Sequence, residues 1–425
     1  MKLICFLLAY GILGAASLPA QDWPQWRGEN RDAKARDFKA PASWPKELTP
    51  KWKVSVGLGD ATPSLSGGKL YVFARQDNQE VILCLDPATG KEQWREKYEA
   101  PTVTGPDSGH AGPRSTPAVA SGKVVTLGVS GILSCVDAGS GKLVWRKDEF
   151  PGAWPRFHVA TSPIIYGNLC VAHLGKSGDG AIVAYDLASG EQKWKWAGDG
   201  PSYSSPVSAK IDGTDVFIFM TDKKMVALGA ADGKLLWETD FAPQGMAYNA
   251  ATPIVDGQTL YYGGQGRGMT AVKLARSGDA ITASELWKNP DNAVQFNSPV
   301  LKDGRLYGLS ARSDFFCLDA KDGKTLWTAP LVPPEPGAAA EETGGGRRGG
   351  RMGRTAGYGS IVDGGPVLLT VSPVSQLVVF KPGSEAYSEV ARIKVAETPI
   401  FAHLVVSGDR LFVKDQDSVM LYTLP

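Results

Sequence analysis

One recurring pattern limits what this chain can fold into. The stretch Cys84-Leu85-Asp86-Pro87-Ala88-Thr89-Gly90-Lys91-Glu92-Gln93-Trp94 returns as Cys135-Val136-Asp137 with Gly141-Lys142 and Trp145. It returns as Tyr185-Asp186 with Gly190-Glu191 and Trp194, as Gly233-Lys234 with Trp237, and as Cys317-Leu318-Asp319 with Gly323-Lys324 and Trp327. Each copy reads as a hairpin: an apolar strand, a polar turn whose Gly takes a positive φ, and a strand carrying a large aromatic. Self-similarity at roughly 40–50 residues in β-rich sequence is the signature of a propeller.

The Asp of each copy (Asp86, Asp137, Asp186, Asp319) reads as a turn former bonding its own backbone. The Trp residues Trp52, Trp94, Trp145, Trp194, Trp237, Trp287 and Trp327 read as wedges between neighbouring blades. Inner strands are announced by Ser/Thr-Pro pairs: Thr62-Pro63, Thr116-Pro117, Ser162-Pro163, Ser205-Pro206, Thr252-Pro253, Ser298-Pro299 and Thr398-Pro399. Pro suits the first residue of a strand, where no ladder donor is needed. The seventh unit, Gly359-Ser360-Ile361, lacks the Pro, and Tyr387 follows Gly383 at the spacing of the Trp. These units predict an all-β, single eight-bladed propeller over 48–425 with four-stranded blades. Lys51 to Val56 resembles a Trp-bearing outer strand without its predecessors, and the C-terminus supplies three strands without an outer one. Their pairing would close the ring and remove two sheet edges.

The 45 Lys+Arg and 44 Asp+Glu nearly cancel, which argues against nucleic acid as the main partner. Residues 1–20 read as a secretory signal peptide, too short in its apolar run to span a bilayer. With no Cys after its small residues, a lipid anchor is not expected. The expectation is an exported, periplasmic or secreted, monomeric protein. Cys84, Cys135, Cys170 and Cys317 are expected as buried free thiols. Residues 21–47, with Trp23, Trp26 and Trp44, are expected to strap across the propeller, because tryptophans this dense are costly in water. Residues 330–357, rich in Gly and Arg, read as a disordered insertion.

On these residues, the Asp-x-x-Thr/Ser-Gly-Lys-x-x-Trp unit resembles the pyrroloquinoline-quinone-type (PQQ-like) propeller repeat over about Lys51 to Pro425. The lead Trp23-Pro24-Gln25-Trp26-Arg27-Gly28 is similar to that of exported PQQ-like propellers. Two branches carry this fold: quinoprotein alcohol and sugar dehydrogenases, and the non-catalytic propeller of the outer-membrane β-barrel assembly machinery. The dehydrogenase branch implies PQQ, Ca²⁺ and a carboxylate base. The adjacent Cys pair that lies over the cofactor in the large alcohol dehydrogenases has no counterpart here, and neither has a Cys-x-x-Cys-His haem site.

A ligand site would lie at the channel mouth, where the residues just before each inner strand gather: Asp60, Arg114, His158, Tyr203, Asn249, Asn297, Tyr358 and Glu397. The four histidines show no metal-ligand spacing. The preferred expectation is a non-catalytic scaffold with an envelope or secreted protein partner and no cofactor. The first alternative is a PQQ- and calcium-dependent dehydrogenase with Asp60 or Glu397 as base and Arg114 on the cofactor carboxylates. The second is a glycan or small-ligand binder using Tyr203, Tyr358 and Asn249.

Overall fold

The computed structural model describes residues 21–105, 107–333 and 356–425. The signal-peptide reading, and the insertion reading over 334–355, lie outside them. Eight four-stranded antiparallel sheets form the blades of a propeller. Blades 1 to 7 cover 64–99, 118–147, 164–196, 207–240, 254–289, 300–330 and 360–394. Blade 8 joins Val405–Ser407, Arg410–Lys414 and Ser418–Thr423 to the N-terminal strand Trp52–Ser55. The register Trp52↔Leu421 to Ser55↔Ser418 clasps the two ends of the chain together, so no blade is left three-stranded.

The repeat explains how blades dock. In blades 1 to 7 the pairing of the third and fourth strands slips by one residue at the same place, as between Cys84 and Leu85. Such a bulge re-aims the next side chain, the Trp in blades 1 to 6, toward the neighbouring blade, and Trp52 of blade 8 points the same way without a slip. There the indole N–H donates to the carbonyl that follows the next blade's Asp. Examples are Trp52 to Pro87 O at 3.2 Å, Trp145 to Leu187 O at 3.0 Å and Trp287 to Ala320 O at 2.9 Å. The turn Gly is required twice. At Gly190 φ is +71°, and a Cβ would stand 2.7 Å from Trp145 Cγ. Asp86 Oδ1 holds its turn by accepting from Ala88 N, Thr89 N and Thr89 Oγ1 at 2.9, 2.9 and 3.0 Å.

Two seams differ. Blade 5 carries Lys273 in place of the Asp, and among the described residues Trp237 finds no acceptor for its N–H. In blade 7 the cross-strand partner of Val379 is Ala391, so Ala391 holds the Trp register position. Tyr387, expected there, precedes the strand and stacks on Phe315 of blade 6, with ring centroids 5.2 Å apart. The spacing from Gly383 misled because Pro382 and Gly383 lengthen that turn.

The Ser/Thr-Pro pairs do more than begin strands. Their hydroxyls accept backbone N–H groups from the preceding blade: Thr116 N to Ser162 Oγ, Ser162 N to Ser205 Oγ and Thr252 N to Ser298 Oγ, at 2.8–3.0 Å. Across the closing seam, His403 N donates to Thr62 Oγ1 at 2.9 Å. The inner strand of blade 8 begins at Val405, so His403, not Thr398, stands at the pair's position. Thr398 lies in the connection from blade 7, where its carbonyl accepts from Ser375 Oγ.

The segment from residue 21 to 47 touches all eight blades from the face of the first hairpin turns. Trp23, fully buried, exchanges two backbone hydrogen bonds with Leu65 of blade 1, and Pro24 O accepts from Val119 N of blade 2. Arg31 donates to Pro206 O of blade 4 at 2.7 Å and to Pro163 O of blade 3. Trp26 Nε1 reaches Thr252 Oγ1 of blade 5 at 2.8 Å, and Arg27 donates to Ser298 O and Pro299 O of blade 6 at 2.6 and 2.7 Å. Ala33 and Ala35 pair with Asp363 of blade 7, and the Trp26 ring lies 4.0 Å from that of His403 in blade 8. Both arginines are buried, and burial lowers their pKa values to about 10 for Arg27 and about 9 for Arg31. Main-chain carbonyls of the Ser-Pro pairs at the inner strands are their acceptors, so the segment plugs one end of the channel.

Candidate functional site at the channel mouth

With one end plugged, the loops that lead into the inner strands frame the other end. Asp60 and Arg114 are brought together through residues the position rule did not select. His110 Nδ1 lies 2.7 Å from Asp60 Oδ2. This hydrogen bond outweighs burial and raises the His110 pKa above the ordinary imidazole value. Arg114 donates to Asp107 Oδ2 at 2.9 Å, to His110 O at 2.8 Å and to Phe157 O. His158 Nδ1 lies 2.8 Å from the same Asp107 oxygen. Burial works against the Asp107 carboxylate, but its bonds from Arg114 and His158 hold it below the usual carboxylate range. His158 sits at φ +61°, closing a turn onto Pro155 O, with its ring stacked on Trp154 at 5.4 Å. A buried His in the left-handed region marks a loop over-determined by its contacts.

Aromatic rings line the rest. Tyr203 accepts from Phe157 N at 3.1 Å, and Tyr203, Phe157 and Tyr248 pack mutually with centroids 5.0–6.3 Å apart. Across the opening, Tyr358 stacks on Phe296 at 4.1 Å and meets Phe401 edge-on at 5.1 Å, while Phe401 meets His110 at 4.8 Å. Burial raises the Tyr203 and Tyr358 hydroxyls to about 12, so both stay neutral donors. A signal for the missed rings existed: Phe157, Tyr248 and Phe296 each stand one residue before a selected position.

The remaining selected residues do other work. Asn249 is buried, its amide donating to Thr221 O, Asp222 O and Phe241 O and its oxygen accepting from Arg267. Asn297 bridges Gly359 O and Leu309 N at 2.9 and 3.0 Å. Both are loop-tying groups. Glu397 is 74% exposed and, among the described residues, pairs with Lys394 at 2.6 Å and with no member of the cluster, because its Thr398-Pro399 neighbours do not start an inner strand.

The set fits a quinone cofactor and Ca²⁺ poorly. Asp60 is paired with His110, and Asp107 with Arg114 and His158 through its Oδ2 alone, so a single buried carboxylate oxygen, Asp107 Oδ1, is left without a partner, too few to ligate Ca²⁺ by itself. Among the described residues no group of three or more His, Cys, Asp and Glu side chains converges on a cation position. The cleft beside Tyr203, Tyr248 and Asn249 holds about 110 Å³, below the roughly 300 Å³ at which small-molecule pockets begin.

Comparison with known proteins places this architecture. A family model described as outer membrane protein assembly factor BamB matches residues 43–175 and 77–329. The quinohemoprotein alcohol dehydrogenase of Comamonas testosteroni is 30% identical over 142 residues, covering 32% of this chain but 19% of that enzyme. BamB of Burkholderia pseudomallei is 24% identical over 284 residues, 65% of this chain and 68% of that protein. Among solved structures, BamB from Moraxella catarrhalis superposes with a TM-score of 0.64 at 14% identity, over 89% of this chain and all of that one. A europium-containing methanol dehydrogenase gives 0.70 at 12% identity, over 95% and 98% of the two chains. At these identities the structural likeness speaks for the fold alone, whereas the family model spans well over half of the sequence. The chain therefore belongs to the PQQ-type repeat propeller family represented by outer membrane protein assembly factor BamB.

Proposed function

We propose that this protein is a non-catalytic scaffold of the cell envelope that holds another protein against its channel mouth. One observation carries the reading: the mouth's charges are neutralised in internal pairs, while six half-buried aromatic rings (Phe157, Tyr203, Tyr248, Phe296, Tyr358, Phe401) remain to be covered. An aromatic centre with a polar surround is the anatomy of a protein interface. Arg156 and Met246 stand exposed at its edge, residue types that such surfaces favour. The blades make the mouth loops a rigid frame, so a partner can be bound without first ordering them.

The assembly-factor relatives support a role in outer-membrane protein assembly, and the leader read at residues 1–20 supports export to the periplasm or beyond. The protein works on this reading without PQQ or Ca²⁺. Its test replaces Tyr248 or Tyr358 by a photo-cross-linking amino acid in cells, with Leu286 on the outer rim as control. The expected result is one discrete protein adduct from both mouth positions and none from Leu286. Adducts from Leu286 alone, or none from the mouth, would sink the proposal.

A further inference from the structure

On the face opposite the mouth the repeat is broken in a way that opens a trench. In most seams a short Asp-to-Gly turn closes against the neighbouring Trp. The outer hairpin of blade 5 instead runs through strands of ten residues each, Gly268–Ser277 and Ala280–Asn289. Its tip overhangs blade 4, pinned there by Arg276 N to Asp212 Oδ2 at 2.8 Å and by the Arg276 guanidinium on Thr214 Oγ1. The overhang forms one wall, the blade-3 turn at Tyr166 and Asn168 the other, and blade 4 the floor. The trench holds about 550 Å³, five times the cleft beside the mouth and within the range of ligand sites.

We propose that this trench binds a carbohydrate chain, with Tyr166 as the stacking surface. A sugar ring offers an apolar C–H face and a polar rim of vicinal hydroxyls, each both donor and acceptor. The trench matches both. Tyr166 is 36% exposed, and Phe217 beneath props its ring, with centroids 5.5 Å apart at 85°. Leu169, Leu236 and Ile281 continue the apolar surface. Around them stand acceptors on Asp232 and Asp279 and donors on Asn168 and Lys234, while Asp215, paired with Lys210 and the Tyr166 hydroxyl, and Arg276, bonded to Thr214 and Gly278 O, fix the frame. Lys234 and Asp279 make no ion pair among the described residues, so their hydrogen-bonding capacity is uncommitted. Three carboxylates against two cations leave no field for a phosphate-rich ligand. The trench is open, which suits a chain rather than a single sugar. This site is separate from the mouth and does not depend on the scaffold reading.

The test titrates purified protein with chitotetraose, cellotetraose and maltotetraose by calorimetry. At least one is expected to saturate with Kd on the order of 1 mM or tighter. Tyr166→Ala should weaken it roughly tenfold, the loss of one stacking contact. Asp279→Asn, on the exposed tip, should weaken it as well without moving the thermal midpoint. Arg114→Ala at the mouth should leave it unchanged. The proposal is overturned if no tetrasaccharide saturates by roughly 10 mM, or if Tyr166→Ala and Asp279→Asn bind like the parent. Extended heptapeptides that bind in their place, and lose binding in Tyr166→Ala, would overturn it too.

Discussion

Replacing Trp145 and Trp237 separately by Phe measures what the repeated indole N–H contributes. Both rings sit at the same register, opposite Cys135 and Ala227. Trp145 donates to Leu187 O at 3.0 Å, whereas Trp237 has no acceptor among the described residues. Trp145 is buried at 7% exposure whereas Trp237 is half-buried, so the Ala variant of each is needed to correct for the difference in apolar contact. What remains is one hydrogen bond, about 1 kcal/mol net, and a second contribution of up to about 2 kcal/mol more from leaving Leu187 O without its main donor. The Cys135 thiol, 3.6 Å from the same carbonyl, recovers part of the second contribution. Trp145→Phe should therefore cost about 1–2 kcal/mol more than Trp237→Phe, read as the difference in urea-derived unfolding free energies. Truncating Trp145 to Ala sets the scale at about 3–5 kcal/mol. Equal costs for the two Phe variants would refute the view that the motif locks blades through its indole N–H.

Three further outcomes follow from the plug and the mouth. Arg27→Ala with Arg31→Ala should lower stability by about 2–4 kcal/mol, since lost carbonyl bonds exceed the relief of two buried charges; limited proteolysis should then cut within 21–47 before the blades. Because Asp60 raises the folded pKa of His110, their pairing stabilises fully below the ordinary imidazole pKa and fades as pH rises through the raised one. The melting-temperature gap between parent and Asp60→Asn should thus be wider at pH 5.5 than at pH 8.5. Lys414, buried on the closing seam and bonded to Gly59 O and Asp415 O, has the opposite sign: burial lowers its pKa from 10.5 to about 8. The unfolded chain binds the extra proton across that window, so this group's contribution improves by about 3 kcal/mol as pH rises through it. Lys414→Met should remove that rise from the melting profile.

The ring was legible because its determinants are local and repeated. A Gly at positive φ, an Asp that caps its own turn and a Trp at fixed spacing each act within one hairpin, and recurrence multiplies the signal. The clasp of Trp52–Ser55 on the last blade was legible too, since an unpaired strand at each terminus demands its complement. The plug was visible only as a density of Trp. Nothing in Trp26-Arg27-Gly28 says that Arg27 will reach the carbonyls of Ser298 and Pro299, hundreds of residues away. The mouth was half legible for the same reason. Position before the inner strand selected Asp60, Arg114, His158, Tyr203 and Tyr358, but their partners Asp107 and His110 lie mid-loop, where no period applies. At Glu397 and Tyr387 the period itself failed, because an added stretch of chain shifted the register that spacing alone assumes.

The proposal that this propeller supplies a shaped surface without a reactive centre is tested most directly by one titration. Purified protein is mixed with PQQ and either Ca²⁺ or Eu³⁺, tryptophan fluorescence is followed, and dye reduction is then assayed with a panel of alcohols and sugars. No saturable quenching and no turnover above the protein-free control are expected. Saturable cofactor binding with dye reduction that Asp60→Asn abolishes would contradict the proposal.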